Sequence, residues 1–215
     1  MSFAQRERER LAQVLIQVGP DAPTLNEGWS TRGLATHLLI RERKPWAAPG
    51  IFLPAGKQAL ERETAKQMAR PYEDVVREWA GGPPAWVAPV DAAMNTAEHF
   101  IHHEDVRRGA APVTPREFST AVNKQLLGYA KRFGAASFRR SELPVVLTPP
   151  HLPPVTVGGK AGVAERGDNV LRVFGEPGEL LLWVSGRDRA EVEFGGRTDA
   201  VEKLQIGRAS CRERG

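Results

Sequence analysis

The chain has 215 residues, and its 30 lysines and arginines against 26 aspartates and glutamates give a formal net charge of +4 at pH 7. This length suits one large domain, or a main domain with a small appendage, and the apolar fraction of 41% is ordinary for a globular protein. The sequence contains no apolar run that could span a membrane and no signal-peptide core, and its charge is too small to indicate nucleic-acid binding. We therefore expect a cytoplasmic protein with no membrane or nucleic-acid partner.

The first 140 residues have the pattern of helices joined by short loops. Apolar residues at helical spacing, with arginine and glutamate on the opposite side, predict a first helix over residues 3–18. A second helix is predicted over residues 31–44, with Ser30 or Thr31 as its N-cap. The same criteria predict three more helices, over residues 56–80 with a break at Pro71, over residues 89–108, and over residues 114–133. Several such helices indicate a bundle, which we assign to residues 1–140.

After residue 140 the composition changes to short β-branched runs separated by proline and glycine turns. These runs predict strands at residues 145–147, 155–157, 170–174 and 192–194. Between the last two, residues 178–187 form an apolar segment bounded by glycines, which predicts a short helix packed on the sheet. We therefore predict a small α+β domain over residues 141–204, near the lower size limit for independent folding.

Residues 205–215 resemble the translation of a common sequencing-library adapter. We interpret this segment as a non-native tail without function, a hypothesis that codons different from the adapter would contradict. The single cysteine, Cys211, lies in this tail, so the cysteine content supports no argument about thiols or disulfides.

The segment with the most functional information is residues 95–109, which contains three of the five histidines and three acidic residues. Glu98 and His102 are four residues apart, as are His99 and His103, so each pair shares one helix face. A carboxylate and an imidazole one turn apart can bind one cation together, although such pairs also occur as solvated surface hydrogen bonds. The periodicity leaves open which pair faces the interior.

A two-residue site needs a further ligand from another element, and His37 is the best candidate. It lies at helical spacing with Leu34 and Leu38, on the predicted buried side of the second helix. We therefore predict that the fold brings His37 to the histidine-rich helix.

Three segments together resemble a known family. Residues 29–37, WSTRGLATH, followed by residues 98–105, EHFIHHED, resemble the metal-binding domain of actinobacterial mycothiol-dependent maleylpyruvate isomerases, in the DinB/YfiT-like superfamily. Residues 175–187, GEPGELLLWVSGR, are similar to the sterol-carrier-protein-like domain that follows in that family. The resemblance reaches to about residue 204. It implies a mainly α protein, in which a DinB-like four-helix bundle of the up-up-down-down type precedes a small α+β domain. Gly33 departs from the family, where an acidic residue is frequent.

The family pattern implies His37, Glu98 and His102 as metal ligands. His99 and His103 then become a flanking pair that is either exposed or adjacent to the ligands. Asp105 matches the same motif and is expected either to orient a ligand or to form an interhelical hydrogen bond.

Two imidazoles and one carboxylate with an open position are typical of catalytic zinc, although the set also suits other divalent transition metals. The open position could bind a thiol, and a coordinated thiol loses its proton near neutral pH. The resemblance implies that this thiol is mycothiol, as a cosubstrate. Addition of the thiolate to an activated double bond, rotation about the resulting single bond and release of the thiolate would give cis–trans isomerisation of a small electrophile. Addition alone would give thiol transfer. The sequence shows no recognisable nucleophile triad, which agrees with a thiol supplied by a cosubstrate.

Arg41 and Arg43 are candidates for binding carboxylates of the substrate or of mycothiol, with a solvated helix end as the alternative. Two other functions stay open: a metal-dependent hydrolase that uses metal-bound water, and a non-catalytic metal- or ligand-binding protein. We expect a monomer or a homodimer.

Overall fold

A computed structural model of the protein describes residues 1–84, 91–111, 113–141, 143–159, 169–198 and 201. Within these ranges the chain is mainly helical and has a small four-stranded sheet, as the sequence predicts. The predicted tail over residues 205–215, with Cys211, lies outside the described residues. In the part described, no helix has both the length and the apolar character that a membrane span requires.

The chain divides into two compact units, Met1–Val113 and Thr114–Gly215. The first unit contains five helices in its described part: α1 (Phe3–Val18), α2 (Thr31–Arg43), α3 (Lys57–Met68), α4 (Tyr72–Ala80) and α5 (Asp91–Arg107). Two short 3-10 turns, Ala48–Ile51 and Pro54–Gly56, connect α2 to α3. The predicted break at Pro71 is confirmed, since α4 begins directly after this proline.

Local capping explains where the first helices begin and end. At the start of α1, the Ser2 hydroxyl accepts a hydrogen bond from the Gln5 amide, and the Gln5 side chain accepts one from the Ser2 amide. Gly19 ends this helix with a φ of 81°. Ser30 is the N-cap of α2, but its side chain makes no capping hydrogen bond; the Thr31 hydroxyl instead donates to the Gly19 carbonyl. This contact ties the start of α2 to the end of α1.

The core of the first unit lies between α1, α2 and α4, and α1 also packs along α5. Its buried apolar side chains are Leu11, Leu15, Leu34, Ala35, Leu38, Leu39, Tyr72, Val75, Val76, Trp79 and Val106. Leu34 and Leu38 bracket His37 on α2 and are fully buried, so packing fixes the helix face that carries this histidine.

The second unit contains α6 (Thr120–Ser137), which packs against α7 (Pro177–Val184), and a sheet. The sheet consists of β1 (Val145–Thr148), β2 (Val155–Val157), β3 (Leu171–Phe174) and β4 (Glu193–Gly196), in the order β2-β1-β3-β4. β1 is parallel to β3, whereas β2 and β4 pair antiparallel at the two edges.

One expectation about α6 is wrong. The helix begins at Thr120 and not at Thr114, because the Ser119 side chain caps it by accepting from the Val122 amide. α6 packs against α7 and lies in the second compact unit. The predicted division into domains at residue 140 stays a prediction.

Candidate metal centre

The three predicted ligands lie together in the first unit. His37 comes from α2, and Glu98 and His102 lie one turn apart on α5. One ligand atom from each residue lies within 4.8 Å of the other two. The His102 Nε2 atom is 3.5 Å from Glu98 Oε2, and the centroids of the His37 and His102 rings are 5.5 Å apart. The structure therefore gathers two imidazoles and one carboxylate from two helices.

Trp29 packs against His37 of this cluster. Its ring meets the His37 ring edge-on, with centroids 5.1 Å apart, and 37% of the residue is exposed. This contact restricts the rotation of the His37 imidazole, so Trp29 supports a ligand candidate by packing.

Asp105 contacts the Nδ1 atom of the His102 ring. Its side chain is fully buried, and its Oδ2 atom lies 2.9 Å from His102 Nδ1. A carboxylate oxygen only accepts, so Nδ1 donates this hydrogen bond and the Nε2 atom is directed towards Glu98. Of the two predicted roles for Asp105, the structure favours the orientation of a ligand candidate.

The electrostatics of the cluster suit a cation. Burial, together with the positive charge of His102, lowers the pKa of His37 to about 3, so this imidazole is neutral and has a free lone pair at neutral pH. Burial alone would raise the pKa of Glu98, but the hydrogen bond from His102 and the charges of His102 and Arg41 lower it to about 2. Glu98 is therefore ionised.

His102 differs from His37 in its protonation. Burial alone would lower its pKa, but its hydrogen bonds to Asp105 and Glu98 outweigh burial and raise that pKa. A cation at this site would replace the proton that His102 shares with Glu98. The donor set therefore fits a divalent transition metal, whose affinity would fall as the pH falls and the proton competes.

His99 and His103 are not exposed, which corrects one of the two alternatives for this pair. His99 is fully buried, with Nδ1 2.9 Å from the Ala4 carbonyl and Nε2 2.7 Å from Glu42 Oε1. His103 Nδ1 is 3.0 Å from Glu7 Oε2. Their partners lie on α1 and α2, so this pair connects α5 to both of these helices.

The two arginines after His37 have different environments. Arg41 lies at the cluster, with Nε 3.5 Å from Glu98 Oε2, and its Nη1 donates to Asn95 Oδ1. Arg43 donates to the Gly82 and Glu78 carbonyls at 2.6 and 3.2 Å and thereby binds the end of α4. Sequence reasoning missed Asn95, since no local pattern indicates its contact with α2.

Replacement of Asp105 by asparagine tests its role in positioning His102. Asparagine can still accept from Nδ1 but carries no charge, so we expect the metal affinity to fall by about 10- to 100-fold. Competition with a chromophoric chelator would measure the affinity. Asp21→Asn, at an exposed position between α1 and α2, is the control and should bind like the parent. Equal affinities for the two variants would exclude the positioning role.

Comparison with known proteins supports the fold only. No protein-family model matches the chain, and no curated protein matches its sequence. A solved structure described as "Crystal structure of the mycothiol-dependent maleylpyruvate isomerase" matches with a TM-score of 0.58 over 91% of this chain and 92% of that chain. The two chains have related folds. At 16% sequence identity, this likeness confirms the predicted resemblance at the level of the fold, while the metal-binding roles of His37, Glu98 and His102 stay predictions.

Proposed function

We propose that the protein is a metal-dependent enzyme that uses a small-molecule thiol, mycothiol, to isomerise a small electrophile or to transfer the thiol to it. The observation that carries this proposal is the cluster of His37, Glu98 and His102, with its ligand atoms within 4.8 Å of one another. The fold shared with a mycothiol-dependent maleylpyruvate isomerase supports the choice of thiol. We also propose that the metal-binding helices form a four-helix bundle of the up-up-down-down type and that the second unit has a sterol-carrier-protein-like fold.

In this proposal the chain supplies the ligands and fixes their orientation. His37 offers a neutral imidazole, Glu98 an ionised carboxylate, and His102 an imidazole held by Asp105. A divalent ion bound there, with zinc as the first candidate, would supply an open coordination position and lower the pKa of a thiol that binds to it. The nucleophile then comes from the cosubstrate, which agrees with the lack of a recognisable nucleophile triad in the sequence.

The test is an assay of the zinc-loaded protein with maleylpyruvate, in the presence and in the absence of mycothiol. The absorbance change that accompanies isomerisation measures the rate. A second assay, with 1-chloro-2,4-dinitrobenzene, would detect thiol transfer. We expect turnover that requires both the metal and the thiol and that falls to the background rate in His102→Ala.

The alternatives give different outcomes. Hydrolysis of ester or amide substrates without a thiol would indicate a metal-dependent hydrolase. A stoichiometric metal without turnover in any of these assays would indicate a non-catalytic binding protein. Either outcome would contradict the proposed function while leaving the metal site intact.

A further inference from the structure

A cavity lies at one edge of the sheet in the second unit. The parallel strands β1 and β3 end side by side at Thr148 and Phe174, and the cavity opens beyond these two ends. Its volume is about 640 Å³, within the range of roughly 300–1,000 Å³ that is typical of small-molecule sites. The carboxyl ends of parallel strands are frequent ligand sites, because the chain leaves the sheet there and opens a crevice. The cavity shares no residue with the candidate metal centre.

The charged residues described at this cavity are all acidic: Glu176, Glu191 and Glu193. Glu176 is the N-cap residue of α7, but its side chain makes no capping hydrogen bond. The Glu191 amide donates to the buried Glu179 Oε2 atom, which fixes the backbone just before β4. In the part of the chain that the structure describes, none of the three lining carboxylates forms an ion pair. The cavity is therefore locally acidic, although the chain has a formal net charge of +4.

The other walls suit the apolar part of a ligand. The ring of Phe174 is 38% exposed, and its partner across the β3–β4 pair is Glu193, so both side chains lie on the same side of the sheet. Pro149 and Pro150 add apolar surface after β1. An ammonium group placed between an aromatic ring and a carboxylate is attracted by both.

Thr148 provides an independent indication of a ligand. It lines the cavity, and its buried Oγ1 atom has no hydrogen-bond partner among the described residues. A buried hydroxyl without a partner costs free energy. Rotation of the threonine side chain would direct this hydroxyl to an amine in the cavity, which would supply the missing hydrogen bond.

The spacing of the three carboxylates favours an extended ligand over a metal ion. Three groups that share one ion must lie close together, and among the described residues His37, Glu98 and His102 are the one set that does so. The glutamates of the cavity are too far apart to form such a set. Ammonium groups along one flexible chain could instead each pair with a different carboxylate.

We propose that this cavity binds a small organic cation of the class of linear aliphatic polyamines. Glu176, Glu191 and Glu193 bind its ammonium groups, and Phe174 contacts its methylene chain. This site is additional to the metal-dependent function proposed above and does not depend on it.

Titration calorimetry of the full chain with three linear probes tests this proposal. Spermidine carries three amines, 1,4-diaminobutane carries two, and 1,4-butanediol has a similar chain without charge. We expect one spermidine to bind per chain, more tightly than 1,4-diaminobutane, and 1,4-butanediol not to bind. Absence of saturable spermidine binding, or its displacement by equimolar calcium, would overturn the assignment to an organic cation.

Replacement of the three lining glutamates assigns the binding to the cavity. The triple variant Glu176→Gln/Glu191→Gln/Glu193→Gln should bind spermidine about 5- to 50-fold more weakly than the parent, as for the loss of three partly exposed ion pairs. Phe174→Leu should also weaken binding, because it removes the aromatic ring and keeps an apolar side chain.

Two controls separate this site from other causes of binding. Glu9→Gln/Glu61→Gln/Glu117→Gln makes the same change of charge at exposed positions outside the cavity and should bind spermidine like the parent. Equal affinities in the two triple variants would show that the cavity does not bind the amine. His102→Ala should also bind like the parent, so a failure of the metal-dependent function would leave spermidine binding unchanged.

Discussion

His37→Ala and His102→Ala are expected to reduce the bound metal from about one equivalent to near none, because three protein ligands are the usual minimum for a catalytic zinc site. Neither substitution removes much apolar surface, so the helical content should stay close to that of the parent. Elemental analysis after zinc reconstitution and desalting measures the metal, and far-ultraviolet circular dichroism measures the helices.

Two further histidines provide matched controls. His103 lies on α5, as His102 does, and His103→Asn keeps a nitrogen donor near Glu7. His151→Ala changes an exposed histidine in the second unit. Both should bind metal like the parent. Equal metal loss in all four variants would show that the assignment of ligands is wrong, and a parent that never takes up metal would exclude the site.

The cluster of His37, Glu98 and His102 could be predicted from the sequence because much of its geometry is local. The spacing of Glu98 and His102 places them one turn apart on any helix, and the spacing of His37 with Leu34 and Leu38 places it on a buried face. Periodicity did not decide between the Glu98/His102 pair and the His99/His103 pair. That choice depends on what the neighbouring helices present.

The missed features are those that depend on contacts between distant segments. The ring nitrogens of buried His99 contact Glu42 and the Ala4 carbonyl, and both partners are more than fifty residues away in sequence. The assignment of α6 to the second unit likewise depends on its packing against α7. Composition and spacing within one segment contain no information about such partners.

Glu42→Leu is expected to cause the largest loss of stability among single substitutions near the site. The Glu42 side chain is 2% exposed and joins four helices, because its carboxylate accepts from Arg8 on α1, from His99 Nε2 on α5 and from Trp79 Nε1 on α4. Leucine fills a similar volume but removes the acceptor of all three buried donors. We expect the free energy of unfolding to fall by about 3–5 kcal/mol, as when one partner of a buried ion pair is removed.

Urea denaturation of the metal-free protein, followed by helical circular dichroism, measures this loss. Glu61→Leu is the matched control, because Glu61 is exposed and its Oε1 atom lies 3.8 Å from Lys57 Nζ on the same helix. The free energy of unfolding of this variant should differ from that of the parent by less than about 0.5 kcal/mol. Equal losses in Glu42→Leu and Glu61→Leu would show that the buried carboxylate does not hold the helices together.

The pH dependence gives a second test of the same contact, with Glu42→Gln as the variant. Burial alone would raise the pKa of Glu42, but the hydrogen bond and charge of His99 and the charge of Arg8 outweigh it and lower the pKa below its ordinary value of 4.5. Since the folded state has the lower pKa, the charge of Glu42 stabilises the fold fully above the unfolded-state pKa, and this contribution is lost as the pH falls through the folded-state pKa. The difference in unfolding free energy between parent and variant should therefore be constant near neutral pH and shrink in acid. If this difference in unfolding free energy stays constant down to the pH at which the parent unfolds in acid, the charge of Glu42 does not stabilise the fold.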